Sequence, residues 1–549
     1  MATFELRDYQ REAIDAVLQA RRAGLRRMVV CLPTGSGKTV IFSELARMAR
    51  RQVLVLAHRE ELLSQAQAKL QAAVGAGKTV AIEQAELRAP TDAHIIVASI
   101  RSLHPDRLQA LLRGRDIGLV LYDECHHAVA EDNQRVLRQL GCFDDAWNGT
   151  LLGLTATTNR ADGQGLDAVF ERIVYERGIS DLMNAGWLVR LRGYRIATAA
   201  DLRGLRSGGQ DFDEAELAEA VDIEARNGLV ARAIQELARD RRTVVFCVTV
   251  NHARNLAHAL NRLGVPAGIV YGDMKSERRK RALDDFRAGK TAVLTNVGVL
   301  TEGFDDPGVS CIAMARPTRS EGLYAQCVGR GTRLAPGKKD CLVLDFVDLS
   351  DLSLVSLPSL MGMPGELDLQ GEDVEEARQA WQRVVIEAPG MELLPGVITL
   401  GEIQERAAGF DPLTRDVDPT VRAISALAWE SLGARGLALH LLRGPRGGPP
   451  RLVELLILRQ GGRGKRWQVT LEGRERARFS RMEDAVEAAD WEVSQMGEQA
   501  YGSARPEAPW RQTPAEGELA ALAQAARRGR PVRCLGEAIA ALTYADQVG

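Results

Sequence analysis

Two short stretches hold residues whose types and spacing can do chemistry. Residues 34–39 read Thr-Gly-Ser-Gly-Lys-Thr, and residues 117–127 read Ile-Gly-Leu-Val-Leu-Tyr-Asp-Glu-Cys-His-His. In the first, glycines let backbone N–H groups face a polyphosphate, and a following helix N-terminus favours negative charge. Thr34, Gly35, Ser36 and Gly37 would form the cradle. Lys38 would reach the β- and γ-phosphates, and the Thr39 hydroxyl would ligate Mg²⁺. The pattern departs from its usual form at Leu32, where the first glycine would stand. The second stretch admits three readings: a metal site from Cys125, His126 and His127, a polar helix start, or half of an ATP-hydrolysing centre. Adjacent residues on one short segment do not easily converge on a single ion. The eight cysteines are scattered, with no CxxC pair to complete such a site. In phosphate-loop enzymes a second strand delivers a carboxylate to Mg²⁺. Asp123 is placed for that, and Glu124 beside it for orienting the attacking water. A second GKT, within Gly75-Ala76-Gly77-Lys78-Thr79, follows a helix-like run and is expected to be a plain turn before a strand.

These residues need a scaffold. Apolar runs at 53–57, 94–99, 118–123 and 150–155 alternate with stretches of helical periodicity. After a polar interval at 199–228 the rhythm restarts with runs at 243–248, 267–272, 291–296, 309–315 and 341–346. Strands alternating with helices imply parallel sheets covered on both faces. The expected fold is α/β: two tandem parallel-sheet domains, residues 1–198 and 199–355, then a smaller α+β region. Residues 351–430 carry 15 acidic and 5 basic side chains, and 431–482 carry 3 and 12. The segment 356–430 reads as an acidic linker or packing surface, and 431–549 as an accessory domain. Within the latter, 451–460 and 466–473 should pair as strands and 482–496 should be helical. Thr513-Pro514-Ala515-Glu516 has capping-box spacing and should start a terminal helical pair.

In these motifs the chain resembles the superfamily two helicases and translocases, of DEAD/DEAH type and nearest the RadD/XPB-like branch. The resemblance covers residues 4–350 and rests on TGSGKT, DECHH, LTAT at 154–157, and further motifs in the family's order. It implies RecA-like domains that use ATP and Mg²⁺. Arg7-Asp8-Tyr9-Gln10 resembles the adenine-recognition segment, with Gln10 as reader beside Arg7. The stretches at 57–65 and 99–103 resemble nucleic-acid contact motifs, which implicates Arg59, Ser99 and Arg101. Motif V is resembled at 295–309, implying Thr295 on nucleic acid and Gly303 and Asp305 on nucleotide. QCVGRGTR at 326–333 implies Arg330 and Arg333 as arginine fingers, three apart and so on one side of a helix. Gln326 would approach His126 across the cleft, and Thr155 and Thr157 would couple nucleotide state to strand grip.

The bulk numbers frame this reading. A chain of 549 residues exceeds one hydrophobic core, which stops growing at roughly 250–300 residues. Net charge is -2, so any nucleic-acid surface must be local. The basic stretch 443–481 holds eleven Arg and Lys against three Glu, with Trp467 and Phe479 interleaved, which suits a phosphate backbone. Arg463, Lys465 and Arg466 are its candidate contacts. The N-terminus lacks the apolar core of a signal peptide and no stretch approaches a membrane span, so the expected setting is cytoplasmic. The expectation is a monomeric ATP-dependent helicase or translocase on duplex or branched DNA, in repair or recombination. An RNA helicase is the runner-up, and a nucleic-acid-binding module with an inactive nucleotide site the rival outside the enzymes.

Overall fold

The computed structural model describes residues 6–548 apart from 58–60, 85, 157–164, 209–210, 302, 351–352, 389–390, 392–397, 412–416, 445–448, 461–465 and 528. The chain forms two compact units, Met1–Arg378 and Gln379–Gly549.

The first unit carries two parallel sheets. Helix α1 (Asp8–Arg22) precedes strands β1 (Arg27–Cys31), β2 (Gln52–Ala57), β3 (Val80–Glu83), β4 (Ile95–Ser99), β5 (Ile117–Asp123), β6 (Thr150–Thr155) and β7 (Arg172–Glu176). They lie in the order β3-β4-β2-β5-β6-β1-β7. Helices α2 (Lys38–Met48) and α3 (Glu61–Val74) connect the early strands. Strands β4 and β6 are buried along their whole length, as strands covered on both faces must be. That is why they read as unbroken apolar runs.

The second sheet holds β8 (Arg190–Asp201), β9 (Thr243–Phe246), β10 (Ala267–Tyr271), β11 (Val293–Val297), β12 (Cys311–Met314) and β13 (Asp340–Leu349). Its order is β10-β11-β9-β12-β13-β8. Strand β8 corrects the expected boundary at 198, because it pairs parallel with β13 and so belongs to the second domain. Arg190, Arg192 and Arg195 interrupt its apolar pattern in the sequence, as an edge strand tolerates. The acidic segment after 356, expected as a linker or packing surface, is packed at its start. Leu357 and Leu367 are fully buried, and the Leu357 N–H donates to Asp345 Oδ2 at 2.8 Å.

The second unit is built on an antiparallel sheet of β14 (Glu430–Ser431), β15 (Gly436–Arg443), β16 (Arg451–Arg459), β17 (Trp467–Leu471) and β18 (Arg474–Phe479), in that order. Its core already includes Val421, Leu427 and Trp429, so it begins before residue 431. Strands β16 and β17 pair as the sequence predicts, and a helix spans Met482–Gln495. The terminal helical pair is present at Gly517–Ala526 and Leu535–Val548, but Thr513 does not cap it. Pro514 instead bridges to Cys534, and the helix starts three residues later with Glu516 before it.

Candidate nucleotide-binding site

The cradle forms where β1 turns into α2. Leu32 is fully buried and its N–H donates to the Thr155 carbonyl at 2.9 Å, so it extends the strand where a glycine would have started the turn. The turn itself needs positive φ at Gly35 (+88°) and Gly37 (+81°), which only glycine adopts cheaply. Both glycines are also packed against neighbours. A Cβ on Gly37 would stand 2.8 Å from Gln10 Nε2, and one on Gly35 would stand 2.8 Å from Thr332 Oγ1. No side chain caps α2, so its first N–H groups and positive dipole end remain for an anion. Thr39 lies half-buried in the first helical turn.

Helix α1 braces the cradle from behind. Tyr9 Oη and Gln10 Nε2 both donate to the Ser36 carbonyl, the latter at 3.2 Å, and Gln10 Oε1 accepts from Arg7 N at 3.1 Å. The Arg7 guanidinium lies 5.0 Å over the Trp187 ring, which meets Tyr9 edge-on at 6.1 Å. Burial pushes the Tyr9 hydroxyl above its usual range, which keeps it a donor. Tyr9 and Trp187 carry no role in the sequence reading, although Tyr9 adjoins the expected adenine reader.

Strand β5 delivers the carboxylates. Asp123 Oδ1 accepts the Glu124 N–H at 3.1 Å. Glu124 sits at φ +50°, ψ 55°, a left-handed conformation costly for a side chain of this size and typical of functional positions. It is 8% exposed. Its Oε1 lies 3.5 Å from Lys38 Nζ, and its Oε2 lies 3.5 Å from His126 Nδ1 without a hydrogen bond. His126 Nδ1 also meets Thr155 Oγ1 at 3.2 Å. A continuous line of polar groups thus runs Lys38, Glu124, His126, Thr155, from the cradle to the end of β6. Thr157 lies outside the described residues. Cys125 is turned away into the core, where burial raises its thiol well above its usual range. Its contact with β6 is tight: a Cβ on Gly153 would approach its sulfur to 2.6 Å. The His127 ring lies 4.1 Å from that of His126, tilted by 43°. Among the described residues no group of three or more His, Cys, Asp or Glu is arranged to hold a metal by itself.

The second domain closes on this cradle. Helix α4 (Glu321–Val328) carries buried Gln326 and ends before the two arginines. Arg330 and Arg333 are therefore not on one helical face, as their spacing suggested. They converge instead because both guanidinia donate to the Phe304 carbonyl, at 3.0 and 3.2 Å. Arg330 is buried and also donates to the Thr301 carbonyl at 3.1 Å. Arg333 Nε lies 3.2 Å from Asp305 Oδ1, which follows Gly303 at φ +71°. Burial would raise the Asp305 carboxyl, but Arg333 and Lys69 outweigh it and hold it below its usual range. Thr332, fully buried, lies with its hydroxyl 3.3 Å from the Thr34 carbonyl. Gly329 packs so closely on Thr34 that a Cβ there would overlap it. Thr332 lies inside the quoted motif but its role was not legible there.

The expected nucleic-acid contacts divide. Arg101 is exposed in the turn after β4. Ser99 and Thr295 are both fully buried, and Thr295 Oγ1 donates to the carbonyls of Ala253 and Gly268. Arg59, Arg463 and Lys465 lie outside the described residues, and Arg466 is exposed before β17. Several arginines of the basic stretch face glutamates: Arg451 with Glu472, Arg476 with Glu492, and Arg478 with Glu475.

The residues present fit a nucleoside triphosphate with Mg²⁺. Thr34 Oγ1, Ser36 Oγ and Glu124 Oε2 are buried without hydrogen-bond partners, around an uncapped helix start and a lysine. Buried polar atoms left so are costly unless something binds them.

Comparison with known proteins agrees with the geometry. Residues 3–160 match the family model for the type III restriction enzyme res subunit, and 227–335 match the helicase conserved C-terminal domain. A protein of Saccharomyces cerevisiae named as the ATP-dependent helicase IRC3 is 33% identical over 382 residues, 67% of this chain and 55% of its own. The mitochondrial counterpart irc3 of Schizosaccharomyces pombe is 36% identical over 373 residues, 66% of this chain and 61% of its own. The DNA 3'-5' translocase XPB2 of Sulfurisphaera tokodaii is 23% identical over 62% of this chain and 81% of its own. The chain thus spans less than two thirds of the length of the two fungal relatives.

Proposed function

Since the chain belongs to the superfamily two helicases, we propose that it is an ATP-driven motor that translocates on or unwinds duplex or branched DNA, in repair or recombination. One observation carries this reading: the loop Gly329–Arg333 of the second sheet packs directly on the cradle of the first, with the Thr332 hydroxyl at the Thr34 carbonyl. A site completed by two domains couples hydrolysis to their relative motion.

In that site Lys38 and the α2 N-terminus bind the phosphates, while Gln10 and Arg7 hold the base. Glu124 orients the water, using the carboxylate oxygen that has no other hydrogen bond. Thr39 and Asp123 would hold Mg²⁺, which would supply charge neutralisation at the phosphates. Arg333 stabilises the charge that builds on the transferred group. Glu124, His126 and Thr155 relay the state of the site to the end of β6. The choice of DNA rests on relatives named as a DNA 3'-5' translocase and as the endonuclease subunit of the type I restriction enzyme EcoAI.

The test is ATP turnover with single-stranded DNA, duplex DNA, forked DNA and RNA in parallel. Stimulation by duplex or forked DNA is expected. Stimulation by RNA alone would make the runner-up correct, and no turnover with any of them would leave a binding module.

A further inference from the structure

Lys69 belongs to none of the motifs. It projects from α3 of the first domain, yet its Nζ lies 2.9 Å from Asp305 Oδ2 in the second, 236 residues away. The other carboxylate oxygen of Asp305 holds Arg333 Nε at 3.2 Å. Arg333 in turn lies over the cradle, its Cγ 3.3 Å from where a Cβ on Gly35 would stand. A line of contacts therefore leaves the first domain at Lys69, crosses to Asp305 and Arg333, and returns to the first domain at Gly35.

We propose that Lys69 is a positioning residue for hydrolysis: by holding one oxygen of Asp305 from across the cleft, it sets the carboxylate that aims Arg333 at the nucleotide. This rests on the nucleotide-site reading above. The side chains are 49% and 40% exposed, so the pair adds little to stability. Its effect is geometric. Without Lys69 the Asp305 carboxylate turns about its own bond, and the Arg333 fork follows it. Because Lys69 and Asp305 lie on different domains, the contact exists only in the closed arrangement, and so the finger is aimed only then. Phe304 still holds one Arg333 nitrogen, which makes the loss partial.

The experiment is steady-state ATP turnover of the full chain with duplex DNA. Lys69→Met should lower kcat by about tenfold or more, the order expected when a catalytic group is held about an ångström out of place. The KM for ATP should move less than about twofold, since the finger acts mainly in the transition state. Lys69→Arg, which keeps the charge and reach, should recover most of the rate. Combining Lys69→Met with Asp305→Asn should cost no more than Asp305→Asn alone, as expected for residues acting through one another. Wild-type kcat in Lys69→Met, no recovery in Lys69→Arg, or additive losses in the double variant would overturn the proposal. Lys38→Ala serves as the control: if it hydrolysed ATP normally, the nucleotide-site reading itself would fail, whatever Lys69 did.

Discussion

The Lys38 ammonium and the Glu124 carboxylate face each other at 3.5 Å, each side chain only 11% exposed. A cation and an anion so nearly out of water depend on one another. Lys38→Ala should abolish both nucleotide binding and turnover. Glu124→Gln keeps the shape and leaves Asp123 in place, so it should bind a fluorescent ATP analogue normally while turnover falls by about 10²–10⁴-fold. Near-normal turnover in Glu124→Gln would remove its assigned role.

Arg330 and Arg333 should separate under mutation, because Arg330 is buried while Arg333 keeps part of its side chain exposed at 16%. Arg330→Ala strands the Thr301 carbonyl, leaves the Phe304 carbonyl to Arg333 alone and opens a cavity, costing about 2–4 kcal/mol of stability besides activity. Arg333→Ala should melt close to the parent temperature while the DNA-stimulated kcat falls about 10³-fold or more. Parallel thermal melts and ATP turnover distinguish the two; equal destabilisation by both would refute the division.

Lys78, in the second GKT, should be silent in catalysis. Its ammonium donates to the carbonyls of Ala46, Arg47 and Ala49, tying down the C-terminal end of α2. Lys78→Ala should cost about 1–3 kcal/mol through those unsatisfied carbonyls. ATP affinity, measured by titration, should be unaltered; a large loss would mean that this second loop binds nucleotide.

The second unit contains a pH-dependent core. Burial would lower the His440 pKa, but Glu430 Oε2 at 2.9 Å and Glu454 Oε2 at 3.7 Å outweigh it and raise it to about 9. A raised folded value stabilises the charged form, so the contribution is complete below about pH 6.5 and is lost as pH rises through 9. The shift corresponds to about 3 kcal/mol. Hydrogen exchange in β15 and β16 should accelerate over that window beyond its intrinsic pH dependence. His440→Gln should flatten the effect; an unchanged profile would show that His440 is not its source.

Neutralising Arg463, Lys465 and Arg466 together should weaken DNA binding at moderate salt. The slope of log affinity against log salt should flatten by up to about three units, since each lost phosphate contact releases about one counterion fewer. An unaltered slope in a folded protein would mean that the basic run is a solvated face. ATP hydrolysis without DNA should not change.

Much of the nucleotide cradle and its scaffold was determined by the sequence itself, for a physical reason. Strands covered on both faces must be apolar at successive positions, so β2, β4, β5, β6 and β9 announce themselves as continuous runs. The cradle and the carboxylates of β5 are local too, because a phosphate grip needs adjacent backbone N–H groups, and these come from consecutive residues. Edge strands are less legible: β8 carries Arg190, Arg192 and Arg195 among its apolar residues and reads as a connector. Ser99 and Thr295 carry the right motif letters, but the pleat of β4 and β11 turns their hydroxyls inward. What only the tertiary structure decided are the contacts between distant segments. Arg330 and Arg333 meet at the Phe304 carbonyl although α4 has already ended, and Thr332 and Lys69 cross to the other domain. Such contacts leave no period in the chain, because closing a long loop on itself constrains where residues meet and not which residues stand beside them.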